Sequence, residues 1–115
     1  MMKPRVGVVG AGRVGSVLAA RLSRADYPIA GVSVRSDNSR ARISSLLPAV
    51  EIAAPEAVVR ASDIVILAVP DDTISRVVSQ IAPHVRGGQW VLHVSGRHGR
   101  EILEPLAKLG AKTMA

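Results

Sequence analysis

A chain of 115 residues with 48% hydrophobic and 21% charged residues is expected to form one folded domain with a real core; it is not disordered, and it is short for a two-domain enzyme. The absence of cysteine excludes disulfides, thiolate metal sites and a thiol nucleophile, and suits a reducing cytoplasm. The formal charge of +6 raises nucleic acid as a partner, but it is scattered without a basic run and Tyr27 and Trp90 give almost no platform for single strands, so the charge fits an anionic small ligand at least as well.

Arg5 to Val9 is a short β-branched run, predicting a buried strand. The apolar stretch here is too short for a signal peptide, and no segment approaches a membrane span; neither nucleic acid nor membrane is an expected partner. From Val14, apolar residues at Val17, Leu18, Ala20, Leu22 and Ala25 recur at helical spacing until Asp26-Tyr27-Pro28. Ile29 to Val34 predicts a second strand, Arg40 to Leu47 a helix stopped by Pro48, and Val50-Glu51-Ile52 a short third strand. Pro55 opens a helical turn through Arg60.

Ile64 to Val69 is the clearest strand. After Pro70, Asp71-Asp72-Thr73 reads as a cap leading into Ile74, Val77, Val78, Ile81 and Val85 on one helical face. Trp90 to Val94 predicts another strand, Glu101 to Leu109 a helix, and Ala111 to Met114 a last strand. Apolar strands without polar alternation, separated by helices, predict an α/β fold: a doubly wound, mainly parallel sheet with helices on both faces. No repeat or linker divides residues 1–115.

Gly10-Ala11-Gly12-Arg13-Val14-Gly15 fits G-x-G-x-x-G between a strand and a helix, the context that gives this string meaning. Gly10 suits a tight turn, Gly12 a close approach of backbone to a pyrophosphate, and Gly15 close packing of helix on strand. Amides at the helix start then face the anion. The plainer alternative is a tight crossover without a ligand.

About 20 residues past such glycines, an acid usually holds the ribose hydroxyls of NAD. Here the chain reads Val34-Arg35-Ser36-Asp37-Asn38-Ser39-Arg40. Arg35, Ser36 and Arg40 suit a 2′-phosphate and hence NADP, with Asp37 leaving NAD as the alternative; ordinary solvated arginines are the reading without a ligand.

Ligands of open parallel sheets bind beyond the strands' carboxyl ends. Val69 and Pro70 offer an apolar edge to the nicotinamide ribose, and Ser95-Gly96 a hydroxyl and bare backbone beside a substrate. Asp71 and Asp72 read as helix caps ahead of acid catalysts. His93, within a strand, reads as a hydrogen-bonded core histidine ahead of a catalytic base; His84 closes a helix and His98 is a loop residue. The sequence names no catalytic residue and suggests no metal site.

With these residues in hand, "VGVVGAGRVGSVLAARL", "GVSVRSDNSRAR", "SDIVILAVPDDTI" and "VLHVSGRHG" together resemble the N-terminal domain of a bacterial Rossmann-like oxidoreductase family with a helical C-terminal domain of uncharacterised function. More distantly the chain is similar to pyrroline-5-carboxylate reductases, β-hydroxyacid dehydrogenases of the 6-phosphogluconate dehydrogenase type and deazaflavin-dependent NADP reductases. The resemblance implies pyrophosphate on Gly10 to Val14, 2′-phosphate on Arg35 and Ser36, nicotinamide by Val69 and Pro70, and substrate by Ser95 and Gly96. Val69-Pro70-Asp71 replaces the Lys-Pro usual in pyrroline-5-carboxylate reductases, which argues against that substrate.

The resemblance also implies a C-terminal substrate and dimerisation domain absent from these 115 residues, a homodimeric parent, and a chain inactive by itself. The expected function is the cofactor domain of a cytoplasmic NADP-dependent oxidoreductase acting on a small carbonyl, hydroxy acid or imine. The rival is a non-enzymatic module that binds a dinucleotide as a redox or regulatory signal.

Overall fold

The computed structural model describes residues 3–95 and 98–115. Five strands form one sheet in the order β2-β1-β3-β4-β5, comprising β1 (Val6–Val9), β2 (Ile29–Ser33), β3 (Ile64–Leu67), β4 (Trp90–His93) and β5 (Lys112–Met114). Every neighbouring pair is parallel, with Val6 opposite both Ile29 and Ile64, and Ile64 opposite Trp90. The α/β doubly wound expectation holds.

Side chains alternate across each strand, so the sheet has two apolar faces. Val6, Val8, Val32 and Ile66 pack with Ala19 of helix α1 (Arg13–Arg24) and Ile43 of α2 (Asp37–Leu46). Val9, Val65, Leu67 and Val91 pack on the other face with α3 (Pro55–Ala61), α4 (Ile74–Ile81) and α5 (Glu104–Ala107). Ile74, Val77, Val78 and Ile81 are all buried, as their helical spacing predicts.

Helix α1 departs from its predicted face. The small residues Gly15, Ser16 and Ala19 are buried, whereas Val14 and Val17 are 59% and 47% exposed. The reason is distance: a Cβ on Gly15 would lie 3.0 Å from the Ala68 Cβ and 3.2 Å from Val8 Cγ1, so the helix approaches the sheet too closely for large side chains.

Other boundaries are corrected. Val50-Glu51-Ile52 is no strand; only Ile52 makes an isolated parallel bridge to Val32, fixed by Val32 N–H to Glu51 O and Ala53 N–H to Val32 O. Pro48 and Pro55 on either side leave little length for a ladder. Helix α2 begins at Asp37 rather than Arg40, because Ser36 caps it by accepting the Ser39 amide at 3.1 Å.

The predicted helix ending at Val85 gives way after Ile81 to a 3-10 turn, Ala82–His84, around Pro83, and Glu101 to Leu109 divides into a 3-10 turn, Arg100–Leu103, and the single turn of α5. Pro105 has no amide to continue a longer ladder. No helix among the described residues is long and apolar enough to cross a membrane.

Candidate functional site

Successive strands lie to opposite sides of β1, so strand order reverses there: β2 pairs on one side and β3, then β4, on the other. A crevice opens at such a point beyond the carboxyl ends of the strands. This chain has a cavity of about 590 Å³ there. Gly10, Gly12, Arg13 and Val14 line its middle; Arg35, Ser36 and Ser39 its β2 side; Ala68, Val69, Pro70 and Asp71 the end of β3; Val94 and Ser95 the end of β4.

The three glycines differ in what they permit. Gly10 has φ +81°, and a Cβ on it would meet Val69 Cγ1 at 2.4 Å, so this turn admits only glycine without strain. Gly15 lets α1 lie against the sheet. Gly12 is different: a Cβ there would have nothing within 4 Å, although the residue lines the cavity. Its bareness serves open space rather than packing.

Gly12 also precedes α1 without a side-chain cap. Helix geometry leaves the first amides, at Arg13, Val14 and Gly15, without acceptors within the helix. A bare backbone, uncapped amides and the positive end of a 12-residue helix dipole make a seat for an anion. The donor set fits a pyrophosphate.

The amides of Gly10 and Ala11 serve the loop itself. Gly10 N–H donates to the carbonyl and hydroxyl of Ser33, at 3.1 and 2.9 Å, and Ala11 N–H donates to the Ser33 carbonyl at 2.8 Å. Ser33 is 3% exposed at the end of β2. Sequence reasoning passed over it; a lone serine closing an apolar strand was the available signal. Ala11 is fully buried, and its carbonyl accepts from Ser16 Oγ at 3.2 Å.

On the β2 side, Arg35 lies against Thr73, with Nη1 3.5 Å from Oγ1. Ser36 gives its hydroxyl hydrogen to Ser39 Oγ at 3.0 Å while capping α2. Ser39, not singled out in the sequence, therefore carries the hydroxyl with an uncommitted hydrogen in this pair and lines the cavity beside Ser36. Arg40 lies outside the main cavity, in a recess of about 160 Å³ shared with Val34, Arg35, Ser36 and Asp37.

At the opposite end, Asp71 and Asp72 do not cap α4. Thr73 is the N-cap residue, and its side chain donates to the Pro70 carbonyl at 2.9 Å instead of capping. Asp71 Oδ1 accepts from Ser95 Oγ, and the Asp71 carbonyl accepts from His98 Nε2 at 3.0 Å. His98 is thus part of a clasp between two loops. Gly96 lies outside the described residues.

His93 is the predicted core histidine, 2% exposed. Its Nδ1 accepts the Ser95 amide at 3.1 Å, which requires the proton on Nε2, where the Gly99 carbonyl accepts at 2.8 Å. Both nitrogens are engaged, so the ring shapes the loop. Among the described residues, no group of three or more His, Cys, Asp or Glu is placed to hold a metal ion.

A parallel sheet with a glycine turn at its order reversal and a crevice over that turn defines a Rossmann-like domain. Residues 1–115 match the Rossmann-like domain family, and the chain belongs to it. It is 38% identical over 92 residues to D-apionate oxidoisomerase of Cupriavidus necator, a match covering 79% of this chain and 33% of that protein. A semialdehyde dehydrogenase NAD-binding protein of Cupriavidus necator, crystallised with calcium and NAD, is 34% identical with a TM-score of 0.72, over 82% of this chain and 34% of that one.

The fold is shared with an imine reductase variant of Myxococcus stipitatus, in complex with NAD+ (23% identity, TM-score 0.82, 97% of this chain and 40% of that chain). The chain therefore spans about a third of the length of the curated relative it matches.

Proposed function

We propose that this chain is the cofactor domain of an NADP-dependent oxidoreductase that moves hydride between the nicotinamide and a small carbonyl, hydroxy acid or imine. The observation that carries the reading is Gly12: a glycine with open space where its side chain would be, lining the cavity at the uncapped start of α1. Similarity to an oxidoisomerase and to an NAD-binding semialdehyde dehydrogenase protein supports redox chemistry over a purely regulatory module.

In this reading Gly10, Ala11, Gly12, Arg13, Val14 and Gly15 form the pyrophosphate loop. Gly12, Arg13 and Val14 face the anion, while Gly10, Ala11 and Gly15 shape the turn. Val69 and Pro70 wall the nicotinamide ribose, and Ser95 with Gly96 borders the substrate. The nicotinamide supplies the hydride; the chain's residues orient it and screen one side from water. In a parent protein of its relative's length, regions outside this domain would complete the substrate pocket and a homodimer. The parent would act in the cytoplasm.

The preference for NADP over NAD rests on Arg35, Ser36 and Arg40, joined by Ser39. Arg35 and Arg40 provide charge-assisted donors, and Ser39, which accepts from Ser36, adds a hydroxyl that can donate into the cavity it lines. Asp37 shares the recess and opposes a phosphate, and the arginines are exposed. Both lower the expected preference to about ten- to a hundredfold.

The test is calorimetric titration of NADPH and NADH into wild type and Arg35→Asp at low and high salt. Wild type should favour NADPH, salt should erode the preference, and Arg35→Asp should reverse it. Equal wild-type affinities, or a preference untouched by the substitution, would refute the NADP assignment.

A further inference from the structure

The charged groups lining the cavity are arranged asymmetrically. Arg35 stands at the β2 end, Arg13 at the middle, and Asp71 at the end of β3 beside β4. In a dinucleotide lying across the glycine turn with its adenosine toward β2, the nicotinamide falls on the Asp71 side. There the wall is otherwise apolar: Val69, Pro70 and Val94 line it with Ser95. Apolar neighbours reduce the screening of a carboxylate relative to open water.

This carboxylate is also held in place. Ser95 Oγ donates to Oδ1, His98 Nε2 donates to the Asp71 carbonyl at 3.0 Å, and the Ser95 amide is anchored on His93 Nδ1 at 3.1 Å. The turn behind it is tied by Thr73, whose amide and hydroxyl both donate to the Pro70 carbonyl at 2.9 Å. A helix cap would need none of this, and Asp71 is not the cap.

We propose that Asp71 makes the cavity discriminate the redox state of its cofactor, holding the oxidised, cationic nicotinamide more tightly than the reduced, neutral one. This rests on the dinucleotide reading above. Its sign is diagnostic. The reduced cofactor carries one more negative charge than the oxidised, so the chain's net charge of +6 favours the reduced form at long range. A negative group beside the nicotinamide opposes that long-range bias, and Asp71 is the carboxylate that lines the cavity.

The experiment is titration of NADP+ and NADPH, separately, into wild type and Asp71→Asn at low and high salt, with circular dichroism to verify folding. Asparagine retains an acceptor for Ser95 and removes only the charge. Wild type should bind NADP+ more tightly, and Asp71→Asn should cut the NADP+ to NADPH affinity ratio by roughly three- to thirtyfold. High salt should preserve or raise the wild-type ratio, because it screens the long-range field that favours the reduced form more than the local Asp71 contact. A ratio that collapses at high salt would count against a local origin, a measurement that stands even if the variant does not fold. Oxidised and reduced nicotinamide mononucleotide should show the same ratio change without an adenosine end.

A ratio unchanged in folded Asp71→Asn, or equal weakening of both forms, overturns this inference alone. Failure of wild type to bind either form overturns the dinucleotide reading, and this inference with it.

Discussion

Adding one methyl group to Gly10 and to Gly12 should have opposite consequences, although the two residues are nearly adjacent. At Gly10 the backbone sits at φ +81°, and the new Cβ would lie 2.4 Å from Val69 Cγ1 and 3.2 Å from Val69 Cα. The left-handed conformation costs an alanine about 1–2 kcal/mol, and overpacking against a buried side chain about 1–3 kcal/mol. Gly10→Ala should therefore lose about 2–5 kcal/mol of stability, a large part of the roughly 5–15 kcal/mol a domain possesses. At Gly12, with φ −81° and nothing within 4 Å of the added carbon, stability should change by less than about 1 kcal/mol. Affinity for a dinucleotide should fall at least tenfold, because the methyl occupies the approach of the pyrophosphate; Gly12→Val should abolish binding. Urea unfolding with a common slope gives the stabilities, and calorimetric titration gives the affinities. Wild-type stability in Gly10→Ala would refute the account of the turn. Wild-type affinity in folded Gly12→Val would refute the placement of the ligand.

Ser33→Ala should cost about 1 kcal/mol and weaken dinucleotide binding more than a surface substitution does, since it removes the 2.9 Å hydroxyl bond to the Gly10 amide and leaves only the 3.1 Å carbonyl bond; unchanged affinity would show that the loop needs no such tie. Gln89 is 4% exposed, and its amide donates to the carbonyls of Val59 and Ser62 at 2.8 and 2.7 Å while its oxygen accepts the Arg86 amide at 3.1 Å. Gln89→Leu leaves these groups without that partner and should lose about 2–4 kcal/mol in urea unfolding, with Gln89→Ala no milder. The Glu56 carboxyl is held below its usual value by a backbone hydrogen bond and then by the Gln80 amide, with the His84 and Arg60 charges adding less. A depressed folded value stabilises above the unfolded pKa and is lost as pH falls through the folded one. Stability should thus decline on acidification below about pH 4.3, and less steeply in Gln80→Ala; an identical acid limb would remove Gln80 from the account.

What the sequence makes legible is whatever the backbone demands locally. Three glycines at fixed spacing between a β-branched run and a helical pattern require a turn, a bare surface and a close approach, and Gly10, Gly12 and Gly15 supply these in that order. The strand cores at Val6–Val9 and Ile64–Leu67 are legible because both faces of a parallel sheet are buried. Element ends are less legible. Ser36 begins a helix four residues before Arg40, since a capping hydroxyl settles the start, whereas apolar periodicity appears only later. The apolar Val14 and Val17 misdirect, because the close approach that Gly15 permits selects the smallest residues for the buried face.

Ser33, and the pairing of Ser95 with Asp71, were hidden for a different reason: each bond joins partners far apart along the chain. Ser33 meets Gly10 across 23 positions, and Ser95 meets Asp71 across 24. Neither pair shares an element, so no periodicity or motif couples them. Strand order does. Placing β2 directly beside β1 brings Ser33 under the glycine turn, and placing β4 beside β3 brings Ser95 against Asp71. The same order sets the positive Arg35 and the negative Asp71 on opposite sides of that turn. A symmetrical anion would gain at one end of such a cavity and lose at the other. A ligand with an anionic group at its β2 end and a cationic ring at its β4 end would gain at both, so the proposed dinucleotide would be selected by the asymmetry of the wall rather than by the net charge.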